Sequence, residues 1–475
     1  MTTGAEPRHG WSVLLQREWL PALAVLLGGI LLHSMNVLML ATVLPTIVGE
    51  LGGAPLMSLP STAFLASSII AATCSGLATA TFGARNTYAA GAAVFTAGAM
   101  VIAFASDMEW VIAGRFVQGL GGGLIAGVAY VLVRSTFPEA TWARVISLLS
   151  AMWSVAILVG PLAGGAFARL GHWRGSFVMV SVIAAILALG AFRVLPNARA
   201  ASARRTAFPG VRLALVCAAI ASSSSAAVVT SPVAKALLIA LAVAFLAMML
   251  WLDRRAAARL LPSDAFAVTT PTGLGLWLLL LVAVAYSPLQ IFIPIFLQSL
   301  HGLDPLTAGY GVACASLGWT VASVLVAGAL EEWRNRFIAL GPFVMLVSLV
   351  AAGMVAGHGA LLLCAAILGI GAGIGVCWAF VSQRVMSGAR KGEEAIAASS
   401  VPTVQQMGFA LGAALSGLAA NSAGFAVDLP HEAMAHVALV VPVCLSVAAA
   451  LGVLTALRLN RLFGRTAGLQ DRSGS

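Results

Sequence analysis

The sequence predicts an all-α integral membrane protein: two six-helix bundles plus an inserted two-helix hairpin, with 14 transmembrane helices. Three observations predict it. Only 9% of the 475 residues are charged and 60% are hydrophobic, with a mean hydropathy of +1.00; a soluble domain carries about 25% charge, so the solvent of this surface is lipid. Apolar runs long enough to cross a bilayer, about 20 residues each, recur along the chain. Basic residues gather on alternate connections between those runs.

In lipid the backbone must satisfy its own polar groups, and for runs of this length that means helices. They lie near 21–46, 58–80, 87–106, 110–133, 143–168, 174–194, 211–229, 233–252, 271–299, 307–330, 337–356, 360–386, 395–424 and 435–457. Four serines at 222–225 make 211–229 the weakest. Trp11, Leu14, Leu15 and Trp19 share a face and predict a short interfacial helix ahead of the first span. The charged residues around them do not read as a cleavable signal. If the N-terminus is cytoplasmic, all 26 Arg and Lys residues except Arg115, Arg169, Arg174 and Lys235 fall in cytoplasmic connections or tails. This predicts cytoplasmic N- and C-termini, and the alanine and arginine richness suggests a bacterial cytoplasmic (inner) membrane.

Two polar connections, 192–212 and 253–266, divide the chain. The expected units are an N-terminal six-helix bundle (1–195), a cytoplasmic linker with the inserted helix pair (196–270), a C-terminal six-helix bundle (271–457) and a cytoplasmic tail (458–475). The fifth span of each half carries a stripe of small residues: Gly160, Gly164 and Ala168 in one, Gly408, Gly412, Ser416 and Ala420 in the other. Such stripes let helices approach closely, and their matching positions suggest two repeats that move against each other.

Several functions are excluded. The net charge of +10 is spread between apolar spans, so nucleic acid is not a partner. Cys74, Cys217, Cys314, Cys364, Cys377 and Cys444 lie inside spans without paired spacing and read as packing residues. No nucleotide loop, nucleophile elbow or metal-ligand spacing is present, so neither an enzyme nor a cofactor is expected.

Arg115 stands inside the fourth span, where an arginine costs at least about 3 kcal/mol. It shares a stripe with Gly119, Gly123 and Gly127, and Gln118 is one turn along. The guanidinium is expected to reach backbone carbonyls or a central cavity. There it attracts an anionic group or expels a proton from a neighbour; the plainer alternative is snorkelling to the outer surface. The sixteen acids all fall in loops, tails or span edges. His33 is then the one conventional titratable group at mid-span, three residues from Asn36 and on its helix face. His33, Asn36 and Arg115 are the candidate proton-coupling residues, with Glu50 or Asp107 as an alternative proton site. Trp153, Trp319 and Trp378 lie mid-span, unlike the interfacial Trp11, Trp110, Trp142, Trp173, Trp251 and Trp333. With Gln118, Gln298, Gln405 and Gln406 they form the candidate substrate lining.

These residues resemble the major facilitator superfamily, in particular its fourteen-helix drug:proton antiporter branch. "RFVQGLGGG" (Arg115, Gln118, Gly119, Gly121) is similar to the fourth-helix motif, and "LVGPLAGGAF" (Gly160, Pro161, Gly164, Gly165) to the fifth-helix antiporter motif. "HWRGSF" (Trp173, Arg174, Phe177), "IPIFLQSLHGLDPLTAGY" (Pro294, Gln298, Asp304, Pro305, Gly309) and "TVQQMGFALGAAL" (Gln405, Gln406, Gly408, Gly412) resemble later landmarks. "GLATATFGAR" keeps Gly76, Gly83 and Arg85 of the loop between helices two and three, with Ala80 where the family has an aspartate. Asn36 stands where the branch has an aspartate, nine residues before Pro45.

The resemblance implies the major facilitator fold and a monomeric secondary active transporter. It would export small amphipathic organic compounds, as in multidrug efflux, by proton antiport. A lipid or anionic-metabolite exporter or a weakly coupled facilitator is the alternative, and a transport-inactive membrane sensor or enzyme is a more distant one.

Overall fold

The computed structural model describes residues 14, 16–52, 56, 59–196, 210–229, 231–256, 259–303, 305–425 and 429–473. The described residues form helices and no strand. In order these are α1 (Leu20–Leu51), α2 (Leu59–Phe82), α3 (Ala84–Ala103), α4 (Met108–Thr136), α5 (Glu139–Arg169), α6 (Trp173–Val194), α7 (Gly210–Val228), α8 (Pro232–Arg255), α9 (Pro271–Tyr286), α10 (Pro288–His301), α11 (Pro305–Val326), α12 (Glu331–Val355), α13 (Ala360–Ser387), α14 (Glu394–Ser422) and α15 (His431–Ser473). Ten of them contain stretches long and apolar enough to cross a membrane. Each apolar run of the sequence coincides with a helix, and the four serines sit inside an unbroken α7.

One run departs from expectation. The stretch 271–299 is two helices, because Pro288 has no N–H to give Val284 and its ring crowds that carbonyl; Ser287 N–H bonds Val284 O instead, at 3.2 Å. Elsewhere local chemistry sets the ends. The Asp107 carboxylate caps α4 by accepting from Trp110 N–H at 3.0 Å, and Gly302 ends α10 in the left-handed conformation at φ 63°. Of the interfacial helix expected before α1, Trp11 and Leu15 lie outside the described residues. Asp304 and residues 197–209 of the linker do so too.

Two sets of helices share one neighbour pattern. In the first, α4 packs between α2 and α3, and α1 between α5 and α6. In the second, α13 packs between α11 and α12, and α9 between α14 and α15. Glycines set the spacing in both. A Cβ at Gly160 or Gly164 of α5 would lie 3.0 Å from Met35 O or 2.8 Å from Met39 O of α1. At Gly408 or Gly412 of α14 it would lie 2.9 Å from Leu280 O or 2.6 Å from Val284 O of α9. The small-residue stripes of α5 and α14 thus do the same packing work, each against the first helix of its own set. Gly165 does not share in it, since a Cβ there would meet nothing within 4 Å. Pro161 sits inside α5 beside this contact.

The sets meet through α2, α4 and α5 on one side and α11, α13 and α14 on the other. Ser154 Oγ donates to Ser316 O at 2.7 Å and lies 2.5 Å from Thr320 Oγ1. Ser147 Oγ donates to Ser323 O at 3.0 Å, and Gln383 Nε2 to Glu139 O at 3.1 Å. Arg134 interacts electrostatically with Glu394 across the boundary and with Glu139 beside it. These contacts run from mid-depth to the side on which α1 begins. Gly76 belongs to them: its missing Cβ leaves room for α14, and a methyl group there would stand 3.0 Å from Ile396 Cα.

Candidate transport site

Arg115 is 1% exposed. The glycine stripe beneath it does what its spacing predicted: a Cβ at Gly119 would lie 2.9 Å from Phe64 C, and one at Gly123 2.8 Å from Ser68 C, so α2 lies against α4. This brings the Phe64 ring under the guanidinium, with Cζ 4.1 Å from the ring centroid. Arg115 NH1 donates to Gln118 Oε1 at 2.8 Å and Nε to Pro60 O at 3.4 Å. Among the described residues no carboxylate pairs with it. The side chain turns into the bundle rather than snorkelling outward. A desolvated cation–π contact is worth about 2 kcal/mol, which offsets much of the cost of keeping the charge there.

His33 rests on the same Phe64 ring, centroids 5.4 Å apart, and meets Trp153 edge-on at 6.1 Å. Gly122 of α4 makes space for it, since a Cβ there would fall 2.6 Å from His33 Nδ1. That nitrogen has no hydrogen-bond partner in the protein, nor has either amide atom of the fully buried Asn36. Gln118 Nε2 is orphaned too. His33 and Arg115 therefore share one phenyl ring contributed by α2, with Gln118 bonded to the guanidinium and Asn36 one turn from His33 on α1.

A second cluster fills the other set. Trp319 meets Trp378 at 5.6 Å and Tyr286 at 5.5 Å, and Tyr286 meets Phe409 at 5.8 Å. Trp378 reaches across the boundary, its Nε1–H donating to Tyr130 Oη at 3.5 Å. The two clusters adjoin where Ser154, next to Trp153, binds Ser316 and Thr320 on either side of Trp319. Gln405 stands one turn from Phe409 on α14, and Gln405 and Gln406 are both half-buried. Gln298 does not join them: its amide donates to Pro294 O within α10, at 3.1 Å, near the helix end. The expected three-tryptophan convergence is partial, because Trp153 packs on His33 rather than on the other two.

Other expectations change. Trp142 and Trp173 stand at the starts of α5 and α6 but are buried in the protein, 6% and 1% exposed, their indole nitrogens bonded to Phe137 O and Glu50 Oε2. Glu50, beyond the first span, also accepts from Arg174 NH1 at 2.5 Å, which holds its carboxyl below the usual range. Asp107 is engaged as a helix cap. Both acids thus have structural work. Cys314 Sγ bonds back to Tyr310 O within α11 at 3.8 Å. Gly83 starts α3 at φ 86°, and Arg85 keeps a buried, unpartnered Nε. Phe64, Tyr130, Tyr286, Phe409 and Ser154 had no sequence signal, since apolar and hydroxyl residues are everywhere in these spans.

Fold and site together define a multi-pass membrane transporter, with paired helical sets around buried polar and aromatic groups, and not an enzyme. Residues 26–413 match the Major Facilitator Superfamily, and the chain belongs to that family. It is 35% identical over 439 residues to a probable multidrug-efflux transporter of Mycobacterium tuberculosis (strain H37Rv), covering 89% of this chain and 92% of the relative. It is 34% identical over 115 residues to the multidrug transporter MdfA of Yersinia pestis, covering 24% of this chain and 28% of MdfA. Its fold matches the human organic anion transporter MFSD10 with a TM-score of 0.69, at 13% identity, over 94% of this chain and 100% of that one.

Proposed function

We propose that the chain is a multidrug-type exporter of small amphipathic organic compounds, driven by proton antiport, with His33 as the proton carrier. The observation that carries this reading is the sharing of Phe64 by His33 and Arg115. A proton arriving on His33 puts a second positive charge beside a guanidinium that no carboxylate among the described residues neutralises, and in a low-dielectric site that repulsion is strong. The helix pair α1 and α4 can then relieve it only by moving. Names of similar proteins as multidrug-efflux transporters support the same substrate class.

The positive charges support cytoplasmic termini in a bacterial inner membrane. The neighbour pattern supports units of 1–195, 196–270, 271–457 and 458–475, acting in a monomer. In that orientation the contacts from Ser154 down to Gln383 and Glu139 close the cytoplasmic side, so this is an outward-facing state. Trp153, Trp319, Trp378, Gln118, Gln405 and Gln406 serve substrate, while Gly76, Gly83, Arg85, Gly119, Gly160, Pro161, Gly164, Gly408 and Gly412 serve the movement. Gln298 belongs instead to the end of α10.

Purified protein in liposomes with an imposed pH gradient tests it. Substrate addition should release protons through the wild type and not through His33→Ala. Unchanged coupling in that variant removes His33 from the mechanism.

A further inference from the structure

The hydrogen-bonding inventory of the site defines what it accepts. Five buried side-chain atoms there have no partner in the protein: His33 Nδ1, Asn36 Nδ2, Asn36 Oδ1, Gln118 Nε2 and Trp319 Nε1. Three of the five, the two amide nitrogens and the indole nitrogen, can only donate. The permanent charge beside them is the Arg115 guanidinium, whose partners are the neutral oxygens of Gln118 and Pro60. Every described carboxylate lies at a helix end or in a connection. A buried donor left without an acceptor costs on the order of 1–3 kcal/mol, so a ligand that supplies acceptors recovers that energy and one that supplies donors does not.

Resting on the exporter reading above, we infer that the chain carries acceptor-rich neutral or anionic amphiphiles, such as aromatic carboxylates and polycarbonyl compounds, and discriminates against organic cations. The apolar body lies along Trp153 and Trp319, where indole faces are half-exposed. Its carbonyl or carboxylate oxygens turn toward Asn36, Gln118 and Arg115. Among the described residues a cation finds no counter-charge at this depth, and it meets the guanidinium's field. Exchange with a proton then rests on shared space: a ligand seated against Trp153 covers His33 and keeps the proton from it.

Two dyes with a common xanthene core test this, the anion fluorescein and the cation tetramethylrhodamine methyl ester. Each is loaded into proteoliposomes under the same pH gradient with the membrane potential clamped at zero. The wild type should move fluorescein about tenfold faster, the ratio that about 1.4 kcal/mol of discrimination yields. Asn36→Asp, nearly isosteric, places a carboxylate in the site and should narrow or reverse the ratio. Arg115→Lys should keep the preference and Arg115→Gln lose it. Equal or faster movement of the rhodamine by the wild type overturns the inference and leaves the exporter reading intact. Movement of neither dye by folded protein overturns that reading, and the inference falls with it.

Discussion

Tyr130 and Trp378 join the two helical sets: the indole N–H of one donates to the phenol oxygen of the other at 3.5 Å, with Trp378 1% exposed. They stand on α4 and α13, the helices that occupy equivalent places in their sets. On the exporter reading this bond opens when the α1-start side opens. Tyr130→Phe removes it and little else. The loss, about 1 kcal/mol, should shift the balance between open and closed forms about fivefold. Cysteines introduced below this level should react faster with a soluble maleimide in the variant, at an unchanged melting temperature.

Gly76 makes a sharper prediction. A side chain at this position must displace α14 backbone, because Ile396 Cα and Ala395 O lie 3.0 and 3.1 Å from where its Cβ would be. Gly76→Val should keep the α1-start side from closing while leaving each set folded. Spin labels on the nearby ends of α2 and α14 should report a longer distance than in the wild type, and transport should fall to background.

Phe64 is predicted to matter for coupling more than for stability. Phe64→Leu keeps an apolar side chain at the α2–α4 contact and gives up the cation–π contact, worth about 2 kcal/mol. It removes the ring that both Arg115 and His33 use. Substrate-driven proton release should drop severalfold more than protein yield. Equal losses of both would make the ring a packing element.

Asp253 predicts a local effect. Its carboxylate pairs with Arg212 and accepts from Leu260 N at 2.9 Å and Leu261 N at 3.0 Å. The same connection is held at its other end by Glu393, which accepts from Arg259 at 3.0 Å and from Ser263 N at 2.9 Å. Breaking a buried ion pair costs on the order of 3 kcal/mol. Asp253→Ala should therefore speed tryptic cleavage at Arg259, read by mass spectrometry, before any global melting.

Much of this architecture was legible because lipid imposes a simple rule on a chain. Long apolar runs such as 360–386 and 110–133 had to be helices, and the spacing of Gly119, Gly123 and Gly127 announced the tight approach to α2. The break at Ser287–Pro288 was present in the sequence but hidden by apolar residues on both sides. The candidate site was legible only through its polar members. Arg115, His33 and Asn36 stand out against a hydrophobic background, while Phe64, the ring that unites Arg115 and His33, looks like any other lipid-compatible residue. Gln298 misled for the opposite reason: polar side chains near helix ends often bond their own backbone, and spacing does not reveal which way they turn.

The proline break has a mechanical consequence. Helix α1 runs unbroken from Leu20 to Leu51 past its own Pro45, whereas its counterpart is a jointed limb, α9 below and α10 above, articulated at Ser287 close to Gly412 and Ser416. The break at Ser287 frees α10 to turn against α9, whereas the two ends of α1 stay tied by one helix. The two halves of this transporter are thus built alike and bend differently, and the compliance belongs to the half that lacks the buried arginine.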